Sequence, residues 1–184
     1  MIHPALKFDE QMHAALTAVH DTLMWFDLSF TGEKVNRNLL YLMGLLGGLP
    51  SDGERDAALR RLSAPKRVGE RLMRDIAASR ETALRMPLVD PARIRQTLSE
   101  QCTECVKYVM ALTADQAVKM EVSNYLLRLR REKPMLRGSD LKALGIEPGP
   151  VYSELLDAVL NERLRGNITT REDEVRYIRD KLSL

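Results

Sequence analysis

The stretch FDEQMHAALTAVHDTLMWFDLSF, residues 8–30, sets Phe8, Met12, Leu16, Val19, Leu23, Phe26 and Phe30 at steps of four and three. That is the repeat of one face of an α-helix, not the every-second-residue alternation of a strand. Outward from it the same period recurs. Val35, Leu39, Leu42, Leu45 and Leu46 predict a second helix, which Gly47-Gly48 and Pro50 should stop. Ser51 with Glu54 has the spacing of a capping box and predicts a short third helix towards Leu62. Pro65 fits the first position of a fourth helix, ending near Arg85. Pro87 breaks that run, and Asp90-Pro91 reads as an N-cap followed by proline at the first helical position. Thr113 with Gln116 reads as a second capping box, opening a helix on Ala114, Val118, Val122, Tyr125 and Leu129. The expected fold is all-α, with no sheet.

The punctuation changes after that helix. From Lys133 to Pro150 come two glycine-containing turns, one short helix and prolines on either side of Gly149. Such stretches separate packed units, so a helical body over residues 1–132 and a helical tail over 133–184 are expected. In the tail, a helix from Pro150 to Arg165 should end at a left-handed Gly166. Thr169 or Thr170 should cap a last helix carrying Val175, Ile178 and Leu182.

Bulk composition excludes more than it selects. The 184 residues are 45% hydrophobic and 29% charged, as in an ordinary globular protein. A net charge of +2 is too small to mark a nucleic-acid binder by itself. Aromatic residues, at 5%, are too few for a surface on which successive bases stack. The longest apolar run, Leu39 to Leu49, is interrupted by Gly44, Gly47 and Gly48. It falls short of the roughly 20 residues that span a bilayer. No basic-then-apolar leader opens the chain, so a cytoplasmic, non-membrane protein is expected. Cys102 and Cys105 form one CxxC; His3, His13 and His20 lie far upstream of it, without paired spacing. The pair reads as two reduced, packing cysteines and not a zinc site, which needs about four ligands.

Two features could bind an anion. In Leu141-Lys142-Ala143-Leu144-Gly145-Ile146-Glu147-Pro148-Gly149-Pro150, a short helix ends at Gly145, Ile146 should plug inward, and the prolines launch a long helix. Backbone N–H groups of Gly149, Val151 and Tyr152 at that launch would face a phosphate, and the two glycines would let a nucleic-acid backbone approach. An ordinary tight connection between helices uses the same residues. Basic residues cluster nearby: Arg128, Arg130, Arg131, Lys133, Arg137 and Lys142. A second cluster holds Arg60, Arg61, Lys66, Arg67, Arg71 and Arg74. Each suits an RNA backbone, and each is also what a solvated helix face looks like. No catalytic constellation is visible. There is no Asp-x-Asp, and Glu172-Asp173-Glu174 falls in a first helical turn, where acids complement the dipole. Trp25 and Phe26 belong to the packing stripe of the first helix.

Gly138-Ser139-Asp140-Leu141-Lys142-Ala143-Leu144-Gly145-Ile146-Glu147-Pro148-Gly149-Pro150, followed by Leu155-Leu156, Leu160 and Arg165-Gly166-Asn167-Ile168-Thr169-Thr170-Arg171-Glu172, resembles the C-terminal signature of the class II tRNA nucleotidyltransferases. These are the bacterial CCA-adding, A-adding and poly(A) polymerase enzymes. Trp25 to Phe30 with Leu39 to Leu49 resembles the body of the subgroup fused behind DHH and CBS domains. Residues 50–125 match only in general helical character. The resemblance implies a tRNA-binding region that embraces the acceptor arm, T arm and elbow. It implies no cofactor in this chain, and a catalytic head upstream in a longer protein that uses magnesium with ATP or CTP. The expected RNA contacts, taken from the basic clusters and the turn, are Arg67, Arg71 and Arg74 or other basic residues in the body, and Arg130, Arg131, Lys133, Arg137 and Lys142 around Gly145 to Gly149 in the tail. Glu147 departs from the family, where lysine is common, and an acid there opposes a nearby phosphate. A helical protein-interaction domain and a helix-hairpin-helix DNA binder are the competing expectations.

Overall fold

The computed structural model describes residues 6–29 and 34–182. His3 and Phe30, the end of the first stripe, lie outside them. Among the described residues ten α-helices and one 3-10 turn account for the regular structure, and there is no strand. No helix among them is long and apolar enough to cross a membrane.

Helix α1 (Glu10–Leu28) starts where the Asp9 carboxylate accepts the Met12 N–H at 2.9 Å. Met12, Val19, Leu23 and Phe26 are buried, as the stripe predicts. Phe8 precedes the cap and is 79% exposed, so the stripe's first residue is not core. Helix α2 (Arg37–Gly47) corrects its expected face. Val35 precedes the Asn36 cap, and the buried set is Leu40, Met43, Gly44, Leu46 and Gly47. Leu39, Leu42 and Leu45 sit half-buried at the margins. The run is apolar on every side, so packing against α1 selected the face. Gly44 permits that approach, since a Cβ there would lie 3.0 Å from a Val19 methyl.

Helix α3 (Asp52–Arg61) opens with the predicted capping box: Glu54 N–H donates to Ser51 Oγ at 3.3 Å and Ser51 N–H to Glu54 Oε2 at 3.2 Å. Arg55 turns inward from it and donates to the Leu46 and Leu49 carbonyls at 3.1 and 2.6 Å. A buried guanidinium thus adds a donor to carbonyls at and just past the end of α2, where helical partners run out. Helix α4 (Lys66–Arg85) begins one residue later than expected, with Pro65 as its cap. Past Pro87 the Glu121 carboxylate accepts the N–H groups of Leu88 and Val89, the latter at 2.7 Å. Helix α5 (Pro91–Ser99) then starts at Asp90 as predicted.

The chain breaks again at Glu100–Cys102, and Cys102 caps helix α6 (Thr103–Ala111). Helix α7 (Gln116–Leu127) is capped by Asp115, which accepts from Ala117 N–H at 2.8 Å. Thr113 is not the cap, because its Oγ1 accepts from Asp115 N–H instead. A 3-10 turn (Leu129–Arg131) leads to α8 (Gly138–Ala143), α9 (Val151–Arg165) and α10 (Arg171–Leu182). Gly166 ends α9 with φ +82°, the left-handed conformation the sequence called for. Thr170 caps α10, exchanging hydrogen bonds with Asp173.

Three apolar clusters hold these helices. One, built on Leu40, Leu46, Leu72, Ile76 and Tyr108, joins α1, α2, α4 and α6. A second, on Phe26, Ile94, Leu98, Val122 and Leu126, also takes Leu160 and Leu164 from α9. The third, smaller, is made of Leu136, Leu141, Leu155, Val159 and Ile178.

Candidate nucleic-acid interface

The connection from α8 to α9 has the predicted shape. Gly145 adopts φ +83°, which a side chain would resist. Ile146 N–H donates to the Leu141 carbonyl at 3.2 Å, and its side chain packs against the third core. Tyr152 reaches back so that its hydroxyl donates to the Ile146 carbonyl at 2.9 Å. A Cβ at Gly145 or Gly149 would meet nothing within 4 Å, so this face of the turn is open.

The launch of α9 offers less than expected. Tyr152 N–H donates to the Gly149 carbonyl at 3.0 Å and Ser153 N–H to the Pro150 carbonyl at 3.1 Å. Tyr152 is therefore not one of the donors awaiting an anion: the prolines tighten the first turn, which satisfies its own N–H. Glu147 is exposed next to this launch. A phosphate seated there would meet an acid, and fewer main-chain donors than the bare sequence implies.

The basic residues fall into two settings. On α4, Arg67, Arg71 and Arg74 are exposed, and their spacing sets them on one helical face. An acid on the same helix engages one of them, Arg71, which lies 3.4 Å from Asp75. The neighbouring Lys66 lies 3.9 Å from Glu70, and Arg74 Nε donates to the Glu70 backbone carbonyl. Arg71's guanidinium is held charged above its ordinary range, by Asp75 first and then by the Cys102 thiol.

In the other setting, Arg131, Lys133, Arg137 and Lys142 are exposed around the 3-10 turn and α8. Arg130 is half-buried, and its Nε donates to the Leu126 carbonyl at 2.7 Å, which ties it to the end of α7. Asp140 does not neutralise this group. Its carboxylate accepts the Arg137 backbone N–H at 2.7 Å and pairs with Arg171 at 2.7 Å. The N–H, then Arg171, hold the carboxyl below the usual carboxylate range. Arg171 therefore lies beside α8 with its charge offset by Asp140, leaving Lys142 and Arg137 without that acid as a side-chain partner. The two settings ride on different cores, α4 on the first cluster and α8 on the third.

The contacts that hold α9 and α10 in place are absent from the sequence-based expectations. Glu174, fully buried, accepts Met135 N–H at 3.0 Å, Leu136 N–H at 2.8 Å and Arg163 Nη1 at 3.0 Å. Arg163 extends the network to Glu132 at 2.9 Å. Arg165 pairs with Asp90, the cap of α5, at 2.9 Å, and with Glu162 at 2.7 Å. Long sequence separations hide most of these partners. Only Glu174's place in an acidic first turn was visible, and there a dipole role sufficed to explain it.

Trp25 and Phe26 do pack, with ring centroids 6.0 Å apart, and the buried Lys107 ammonium lies 3.7 Å above the Phe26 ring. Among the described residues, Asp75, Cys102 and Cys105 form the only group of three donors able to converge on a metal.

No family model matches the chain. It is 36% identical over 183 residues to the A-adding tRNA nucleotidyltransferase of Geobacter sulfurreducens, covering 95% of this chain and 21% of that protein. The A-adding tRNA nucleotidyltransferase of Halalkalibacterium halodurans is 30% identical over 70 residues, 38% of this chain and 16% of that protein. The chain thus spans about a fifth of the length of the curated relatives it matches. Among solved structures, the CCA-adding enzyme of Thermotoga maritima complexed with tRNA superposes with a TM-score of 0.72 at 17% identity, over 98% of this chain and 44% of that one. A CCA-adding enzyme complexed with CTP gives 0.68 at 18% identity, over 100% and 43%. At these identities the structural likeness speaks for the fold alone.

Proposed function

This chain corresponds to a C-terminal region of a tRNA nucleotidyltransferase, and from that premise we propose that it grips tRNA while a catalytic domain elsewhere in a longer protein extends the 3′ end. The observation that carries the reading is sequence relatedness over 183 residues to an A-adding enzyme. The exposed arginines and lysines around α8 supply a chemistry suited to it. The acceptor and T arms are A-form duplex, whose deep major groove hides the bases. Recognition should run through phosphates, 2′-hydroxyls and shape. Arg131, Lys133, Arg137 and Lys142 would make the phosphate contacts, with Arg171 beside them. The open faces of Gly145 and Gly149 would admit the backbone. Arg67, Arg71 and Arg74 would contact a second part of the same tRNA. Because the Tyr152 and Ser153 N–H groups are engaged and Glu147 stands beside the launch of α9, side chains more than the helix terminus would carry the charge.

Magnesium and the nucleotide, ATP or CTP, would belong to the catalytic domain. The chain has no Asp-x-Asp, and no strand appears among the described residues to hold one. Fusion behind DHH and CBS domains fits the weaker resemblance of Trp25 to Phe30.

The test is tRNA binding by the full chain across a salt series, beside an unrelated DNA duplex. Binding should weaken steeply with salt, and Arg131→Glu with Arg137→Glu should lower the logarithmic salt slope by about one per lost phosphate contact. Salt-independent binding, none at low salt, or equal preference for duplex DNA refutes the reading. Extension of tRNA by the chain alone refutes the division of labour.

A further inference from the structure

We propose that Cys102 and Cys105 form a thiol–disulfide exchange site that reacts with low-molecular-weight disulfides, Cys102 as the attacking and Cys105 as the resolving cysteine. The sequence had assigned the pair to packing; the geometry assigns more. Cys102 is the N-cap of α6, and its sulfur accepts the Cys105 N–H at 3.3 Å. The two Sγ atoms lie 2.8 Å apart. A disulfide bond is about 2.0 Å, so closing it shortens the Sγ–Sγ separation by under about 1 Å.

The two sulfurs are unequal. Cys102 is partly exposed, whereas Cys105 is 2% exposed, its Sγ facing the Asp75 carbonyl at 3.8 Å. From α4, Arg71 pairs with Asp75 at 3.4 Å, and Asp75 Oδ2 stands 3.9 Å from Cys102 Sγ. The Cys105 hydrogen bond pulls the Cys102 thiol down to about 6, against burial and the charges of Asp75 and Glu104. The same bond, then burial, pushes the Cys105 thiol up. An accessible, acidic thiol beside a buried, reluctant one is the arrangement of an attacker and its resolver. A metal suits the place less well. Asp75, Cys102 and Cys105 offer three donors where a closed site takes about four, and the Arg71 guanidinium beside them repels a cation.

The exchange balances. The Cys102 thiolate attacks one sulfur of a disulfide RSSR; the S–S bond breaks and RS⁻ leaves to take up a proton. The Cys105 sulfur then attacks Cys102 Sγ and gives up its proton. The internal disulfide forms, and the second RS⁻ departs as RSH. Two thiols are oxidised by two electrons, and one disulfide is reduced to two thiols.

The experiment uses the full reduced chain. Pulse alkylation with iodoacetamide near pH 7, read by peptide mass spectrometry, should label Cys102 at least about tenfold faster than Cys105. With oxidised glutathione the chain should lose two hydrogens and protect both cysteines. Cys105→Ser should stop at a glutathione adduct on Cys102 that a reductant removes. Equal labelling of the two cysteines overturns the proposal, as does a glutathione adduct that persists on the unsubstituted chain, or failure of Cys105→Ser to form one. The first two readouts need no variant, so a misfolded Cys105→Ser protein would not rescue the idea.

Discussion

Replacing Glu174 by alanine should cost this protein about 3 kcal/mol of stability. The carboxylate is fully buried and accepts from two backbone N–H groups and one guanidinium, at 2.8 to 3.0 Å. Summing roughly 1.5–3 kcal/mol for each bond to a charged group would give an inflated total, because the three share one acceptor and are not additive. The better scale is a buried pair broken on one side, about 3–5 kcal/mol. The lower end applies here, since Arg163 keeps Glu132 at 2.9 Å. Glu174→Gln retains one acceptor oxygen and should cost about 1.5–3 kcal/mol. Glu132→Ala removes a carboxylate that is 35% exposed and should stay within about 1 kcal/mol. Urea unfolding gives the ranking, and amide exchange at Met135 and Leu136 gives the location. A loss of about 3 kcal/mol there speeds exchange roughly a hundredfold. A loss below about 1 kcal/mol for Glu174→Ala, or equal losses for Glu174→Ala and Glu132→Ala, would refute the assignment of Glu174 as the staple of the tail.

Other expectations follow from single contacts. A Cβ at Gly47 would collide with the Tyr108 hydroxyl, so Gly47→Ala should overpack the first core and lose about 1–3 kcal/mol in urea unfolding. At Gly166 there is space but φ is +82°, so Gly166→Ala should cost about 1 kcal/mol from backbone strain alone, seen as a lower Tm. Asp90's carboxyl is held low, by Arg165 first, so its pairing contributes stability above the ordinary carboxylate pKa and loses it as pH falls through the depressed folded value. Asp90→Asn keeps the cap, so at neutral pH it should cost at most about 1 kcal/mol. That gap to the unsubstituted protein should close below about pH 4. A gap constant with pH would show that the ion pair is not its source.

The buried face of a helix was legible where a polar face opposed it, and not where none did. The stripe of α1 fell where Met12, Val19, Leu23 and Phe26 predicted, because His13, Asp21 and Thr17 mark its other side. On α2 nothing charged interrupts Leu39 to Met43, so periodicity could not choose a face and Gly44's fit against Val19 decided it. Caps were read correctly where one candidate stood alone, at Ser51 and Asp90. They were misread where two competed, and Asp115 displaced Thr113 because it sits next to the first helical residue. The break before α6 carries neither glycine nor proline, and a cysteine in the capping position gave no warning. On the basic surface the positions were legible from composition, but their neutralisation was not. Whether Asp140 faces Lys142 or Arg171 depends on α10 returning to α8.

One helix is shared between cores, and this sets how force passes through the molecule. Leu155 and Val159 of α9 enter the third cluster, and Leu160 and Leu164 enter the second. At about 100° per residue these two stripes lie roughly 140° apart around the axis. Rolling α9 to deepen one set would lift the other out, so the helix is locked against rotation. It behaves as an axle keyed at both ends. A load on the tail, applied at Arg137 or Lys142, is delivered to α5 as torque and not absorbed in a slack joint.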